Sequence, residues 1–128
     1  PELARRAAII KLRGRIAPIM MMGVIYLPPR PTEKGSRPFY EKGVRALFKW
    51  WDEGLHRHRG RSVKFFGLDL NDMLGLSREG RAWVCSDERH IGQCSPGRQG
   101  FAADMLQQFM VKWHLKAVST FLMLGTPF

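Results

Sequence analysis

Tyr26, Asp69 and Asn71 are the residues in this chain whose types suit phosphoryl chemistry. A carboxylate can orient or deprotonate a water, and a side-chain amide can donate to a phosphate oxygen. Asp69 and Asn71 are two apart, so within a strand their side chains would point the same way. The same pair also suits a plain strand-end turn, where Asp and Asn are common. Other constellations fail on spacing. Asp69-x-Asn71-Asp72 begins like a calcium loop, but Met73, Leu74 and Gly80 fill its fifth, sixth and twelfth positions, which excludes an EF-hand. Phosphate-binding, nucleophile-elbow and dinucleotide glycine motifs are absent. Cys85, His90 and Cys94 invite comparison with a zinc knuckle, yet position 82 is alanine and Cys94 sits one residue early. Three ligands do not make a tetrahedral site, so free loop thiols are the plainer reading. His56 and His58 lie in a basic run and read as solvated or phosphate-facing.

The elements that must position these residues follow from hydrophobic periodicity. Residues 18–27 are nearly continuously apolar and close on Pro28-Pro29, which predicts a strand buried on both faces. Tyr40, Val44, Leu47, Phe48, Trp51 and Leu55 recur at helical spacing, predicting an amphipathic helix that ends at Gly54. A basic turn leads to a second apolar run, Val63 to Leu70. Strand, helix, strand in this order predicts a βαβ crossover with parallel strands. Tyr26 would then emerge along the same carboxyl edge as Asp69 and Asn71, where open α/β sheets bind ligands. Residues 71–100 read as a long loop, Phe101 to Trp113 as a second amphipathic helix, and Val118 to Leu124 as a final strand. Trp50, Trp51 and Trp113 fall on helices and read as core or its rim.

At 128 residues, with 45% hydrophobic and 25% charged side chains, the chain fits a single globular domain. Its longest apolar run is too short and too interrupted for a transmembrane helix, and it lacks a signal-peptide cleavage site. Pro1 in place of Met suggests a processed chain or a piece of a longer one. The net charge is +10, and residues 1–64 carry 15 Lys/Arg against 5 Asp/Glu. Residues 65–128 are balanced at 6 and 6. Such asymmetry favours a polyanionic partner, nucleic acid above all, because neutralising phosphates releases counterions. Two cysteines are too few for a secreted disulfide framework, which points to a reducing, intracellular compartment.

Val24-Ile25-Tyr26-Leu27-Pro28-Pro29, then a helix, then Phe66-Gly67-Leu68-Asp69-Leu70-Asn71 resembles the endonuclease/exonuclease/phosphatase superfamily, with its Tyr-x-Pro strand end and Gly-Asp-x-Asn motif. Arg98-Gln99-Gly100-Phe101 and Leu115-x-Ala117-x-x-Thr120-Phe121 are similar to the region after that motif in abasic-site endonucleases and in endonuclease domains of non-LTR retrotransposons. The likeness covers roughly residues 18–128. It implies an α/β fold, the central portion of a deoxyribonuclease-I-like four-layer α/β sandwich, with a mixed sheet and flanking amphipathic helices. The implied function is magnesium- or manganese-dependent phosphodiester hydrolysis of DNA by a retroelement-type endonuclease. Asp69 would act on the attacking water, Asn71 would contact the scissile phosphate, and Tyr26 would support that phosphate. Asp69 and Asn71 would also be the metal ligands.

Leu68 stands where the motif glycine would precede Asp69. The family's metal-binding Glu would lie upstream of residue 1, and its catalytic His downstream of Phe128. The expectation is therefore an incomplete domain, too short to supply a second sheet, with its first strand left as an open edge. Implied partners are DNA and the rest of a polyprotein such as a reverse transcriptase, in the nucleus. Two alternatives stand beside this: an inactive remnant that binds nucleic acid through its basic half, and a phosphatase acting on a small molecule or lipid headgroup.

Overall fold

The computed structural model describes residues 6–15, 19–57, 62–85, 89–92 and 97–121. Among them the chain is mixed α/β, with two small mixed sheets and two α-helices. It divides into two compact units, Pro1–Asn71 and Asp72–Phe128. No helix among the described residues is long and apolar enough to cross a membrane.

The first unit holds β1 (Ala7–Leu12), β2 (Ile19–Tyr26), α1 (Arg37–Arg57) and β3 (Ser62–Asp69). β2 is the central strand, antiparallel to β1 and parallel to β3. The parallel pair joined through α1 is the crossover that the sequence predicts. β1 was not foreseen, and it covers the side of β2 that was expected to be an open edge. The edges of this sheet are β1 and β3.

α1 buries Val44, Leu47, Phe48, Trp51 and Leu55 against one face of this sheet. Each such side chain contributes about 1.5–3 kcal/mol when fully removed from water. Trp51 meets the Phe66 ring edge-on at 4.7 Å between centroids. Gly23 of β2 sits beneath this pair, where a Cβ would lie 2.5 Å from Phe66 Cδ1 and 3.2 Å from Trp51 Nε1. Bare backbone at position 23 is thus what lets the aromatic rings reach the sheet.

The helix does not stop at Gly54 but runs on to Arg57. A Cβ at Gly54 would come within 2.9 Å of Ile9 Cδ1, so this glycine gives close approach to β1 and is not a left-handed cap. Nor is β2 buried on both faces. Met21 and Ile25 face α1 and are buried, whereas Met20, Met22, Val24 and Tyr26 alternate with them and are exposed. Ile10, Leu12, Val63 and Phe65 extend that exposed apolar face onto the flanking strands. The reason is that the unit supplies a helix to one face only.

The second unit replaces the expected loop with a sheet of β4 (Gly75–Glu79), β5 (Ala82–Cys85) and β6 (Gly97–Arg98) in the order β5-β4-β6. A second sheet is therefore present, contrary to expectation. β4 and β5 form a hairpin in which Glu79 pairs Ala82, leaving a two-residue turn of Gly80 and Arg81. Gly80 has φ +61° and Arg81 is not in the positive-φ region, the pattern of a type II′ turn.

α2 (Phe101–Trp113) forms as predicted and buries Ala102, Ala103, Leu106, Phe109 and Met110. His114 closes it in the left-handed conformation at φ 54°. The buried Gln99 accepts a hydrogen bond from the Gly75 amide at 3.1 Å and donates to Asp104 and Gln107, each at 2.9 Å. The described part of the predicted final strand is not a strand. Val118–Thr120 is a 3-10 turn, in which the Thr120 hydroxyl donates to Ala117 O and accepts from the Gly92 amide. These local bonds compete with strand pairing, as Thr side chains commonly do. Residues 122–124 of that run lie outside the described residues.

Candidate functional site

The parallel register brings two of the expected residues side by side. Tyr26 and Asp69 are partners across β2 and β3, and the Leu27 amide donates to Asp69 O at 2.9 Å. Paired positions share a face, here the face turned away from α1, and both side chains are exposed. This edge needs no long-range folding accident, because the βαβ connection fixes which strand ends are neighbours.

Asn71 is not in line with Asp69. β3 ends at Asp69, and Asn71 takes a left-handed conformation with φ 48°. Its amide nitrogen Nδ2 donates to Leu27 O at 2.6 Å, while its backbone N–H donates to Asp69 Oδ1 at 3.3 Å. The expectation that the two side chains project together from one strand therefore fails. Asn71 clasps the ends of β2 and β3, and Asp69 caps the turn, which is the strand-end role Asp and Asn share. The Asp69 carboxylate stays exposed while doing so.

One contributor is absent from the sequence reading. Arg6 precedes β1, its carbonyl accepts from the Tyr26 amide at 2.8 Å, and its guanidinium carbon lies 5.4 Å over the Tyr26 ring. Arg6 Nη1 is buried and finds no hydrogen-bond partner among the described residues. A cation with a spare donor, a phenol and a carboxylate thus line one end of the sheet. An anionic oxygen could be bound by the first two and approached by a water held on the third. The signal for Arg6 was the short apolar run Ala7 to Ile10 after a basic start, which is compatible with a short strand.

Magnesium requires several hard oxygen ligands. Asp69 offers one exposed carboxylate, and no group of three or more His, Cys, Asp or Glu that could hold a metal occurs among the described residues. Asp72, next in sequence, is already committed. Its carboxylate accepts from the amides of Met73, Gly100 and Ala103 at 2.8, 3.1 and 2.9 Å. These residues alone do not compose a magnesium centre.

The remaining candidates separate. His90 Nδ1 donates to Leu115 O at 2.7 Å, Cys85 is a free, exposed thiol, and Cys94 lies outside the described residues. His56 Nε2 sits 3.5 Å from Asp52 Oδ2, one turn back on α1, and His58 lies outside the described residues. Trp51 is core, as expected, while Trp50 is exposed. In the second unit a groove of about 540 Å³ runs between β4 and α2, lined by Ser77, Arg78, Gln107, Gln108 and Lys112 among others. It contains no paired nucleophile and base. Compared with known proteins, the chain matches no family model, no curated protein and no solved structure.

Proposed function

We propose that this chain acts on a DNA phosphodiester at the edge formed by Arg6, Tyr26 and Asp69, as part of a deoxyribonuclease-I-like domain of a retroelement-type nuclease working in the nucleus. The observation that carries this reading is the pairing of Tyr26 with Asp69, both exposed on one face, with the Arg6 guanidinium over the phenol. Arg6 and Tyr26 bind the phosphate oxygens, and Asp69 orients the attacking water. Asn71 acts as a positioning residue: it holds the Asp69 turn against β2 through Leu27. Any divalent ion, magnesium or manganese by resemblance, would share Asp69 with ligands other than the carboxylates described here.

A second reading has its own support. With one exposed carboxylate at the edge, and that one engaged by a backbone amide, the same surface suits binding without hydrolysis. Plasmid nicking separates the two. Parent protein is compared with Asp69→Asn and Arg6→Ala, in magnesium and in chelator. Nicking that needs metal and falls at least about a hundredfold in Asp69→Asn, within the usual range for a lost general base, supports hydrolysis. Equal nicking by parent and Asp69→Asn refutes it, and no nicking with retained binding favours the second reading.

A further inference from the structure

The second unit holds six Lys/Arg against five Asp/Glu, and among its described residues three arginines gather on the hairpin. Across β4 and β5, Arg78 pairs Trp83, and across β4 and β6, Leu76 pairs Arg98. Residues 76 and 78 are two apart, so Arg78, Trp83 and Arg98 share one face of the hairpin sheet. Arg98 reaches over β4 to place its guanidinium carbon 5.1 Å above the Trp83 ring. Arg78 Nε donates to Gly80 O at 3.0 Å, and Arg81 stands exposed at the turn. Glu79, the carboxylate on β4, falls on the opposite face by alternation, and no carboxylate among the described residues pairs with Arg78, Arg81 or Arg98.

We infer that this hairpin face is a binding surface for a single strand of nucleic acid. The three arginines form a row of backbone positions, from the level of Leu76 to the hairpin tip, about 13 Å long at the usual strand rise, with the Arg98 guanidinium leaning over Trp83 to the level of Arg78. A row suits the repeating phosphates of a strand better than it suits one small anion. Stacking on Trp83 holds Arg98 in place without consuming its N–H donors, which remain available for a phosphate. The guanidinium–indole stack also offers a layer for a base, and only an unpaired base can use it. An acidic peptide would satisfy the charge but has nothing to stack. The groove that shares Arg78 runs along α2 past Asp104 and Gln107 to Lys112, so a second cation lies at its far end. This inference rests on the nucleic-acid part of the proposed function and not on its hydrolytic part.

Fluorescence anisotropy tests it, using the full chain, a labelled fifteen-nucleotide oligo-dT and a duplex of equal length. Arg98→Ala is expected to weaken single-strand binding about tenfold, as for loss of a charge-assisted contact, and to lower the log-log salt slope by about 0.7. Arg98→Lys restores the slope but not the affinity, because an ammonium does not stack as a plane. Trp83→Ala weakens binding with the slope nearly unchanged. Lys49→Ala, an exposed charge on α1 with 79% side-chain exposure, controls for net charge and changes affinity less than twofold. Binding is read in chelator, where no nicking is required, so failure of the hydrolytic reading leaves this result standing. The inference is overturned if Arg98→Ala binds like the parent, if Lys49→Ala weakens binding as much, or if the duplex is preferred. It is likewise overturned if polyglutamate displaces the oligonucleotide at equal charge concentration, which would assign the face to an acidic protein.

Discussion

Asp72 offers the sharpest test of how the second unit is held together. α2 begins after Gly100, which has no side chain to cap the helix, so its first amides need an acceptor from elsewhere. Asp72 supplies it from a distance of 28 residues in sequence, bonding the Gly100 and Ala103 amides with its two oxygens. Both bonds are part-buried and charge-assisted, at about 1–1.5 kcal/mol each, and the carboxylate also faces the positive end of the helix dipole, for about 0.5 kcal/mol. The Met73 amide is exposed and can turn to water at little cost. Asp72→Ala should therefore destabilise the unit by about 3 kcal/mol, a fall of roughly 10 °C in Tm for a chain of this size. Asp72→Asn keeps one acceptor but turns an N–H toward an amide donor, so about half the loss is expected. Urea unfolding followed by far-ultraviolet circular dichroism gives the totals, and native-state hydrogen exchange shows whether Gly100 and Ala103 lose protection first. A loss below about 0.5 kcal/mol in Asp72→Ala, or unchanged exchange at Ala103, would refute the capping argument.

Two further substitutions test the first unit. Gly23→Ala must push the Phe66 ring out of its seat, at a cost of about 1–3 kcal/mol, visible as a lower unfolding midpoint and altered tryptophan emission. At position 71 the order of stability should be Asn, then Gly, then Ala: Gly loses the bond to Leu27 at about 1 kcal/mol, and Ala adds about 1 kcal/mol for the left-handed backbone. Chemical denaturation of the three proteins ranks them, and Ala equal to Gly would show that the φ at this position is not held.

The elements that sequence could deliver are those with an unbroken apolar signal. The run of residues 18–27, the stripe from Val44 to Leu55, Val63 to Leu70 and Phe101 to Trp113 correspond to β2, α1, β3 and α2. From these the Tyr26–Asp69 adjacency follows, because a parallel crossover aligns the two strand ends. β4 and β5 were hidden because Ser77-Arg78-Glu79 is polar and Ala82-Trp83-Val84-Cys85 is only four residues long. Their turn, Gly80-Arg81, carries its conformation on one glycine, a weaker mark than Asn-Gly. Gly54 illustrates an ambiguity that local reading does not resolve. A glycine late in a helix can be a cap or a contact, and only the tertiary position of Ile9 decides between them. Arg6 escaped for a related reason: its place beside Tyr26 depends on a six-residue strand, Ala7–Leu12, whose sequence shows no period-two alternation.

The run of methionines in β2 has a chemical consequence of its own. Met20 and Met22 are about 40% exposed, whereas Met21 between them is fully buried beneath α1. Peroxide acts on sulfur it can reach, so dilute oxidant should convert the outer pair to sulfoxides and spare the middle residue. Oxygen uptake at Met21 would then mark the moments when α1 lifts from the sheet. Three consecutive residues thus form a natural clock, in which the ratio of inner to outer sulfoxide, read by mass spectrometry, reports how often the first unit opens.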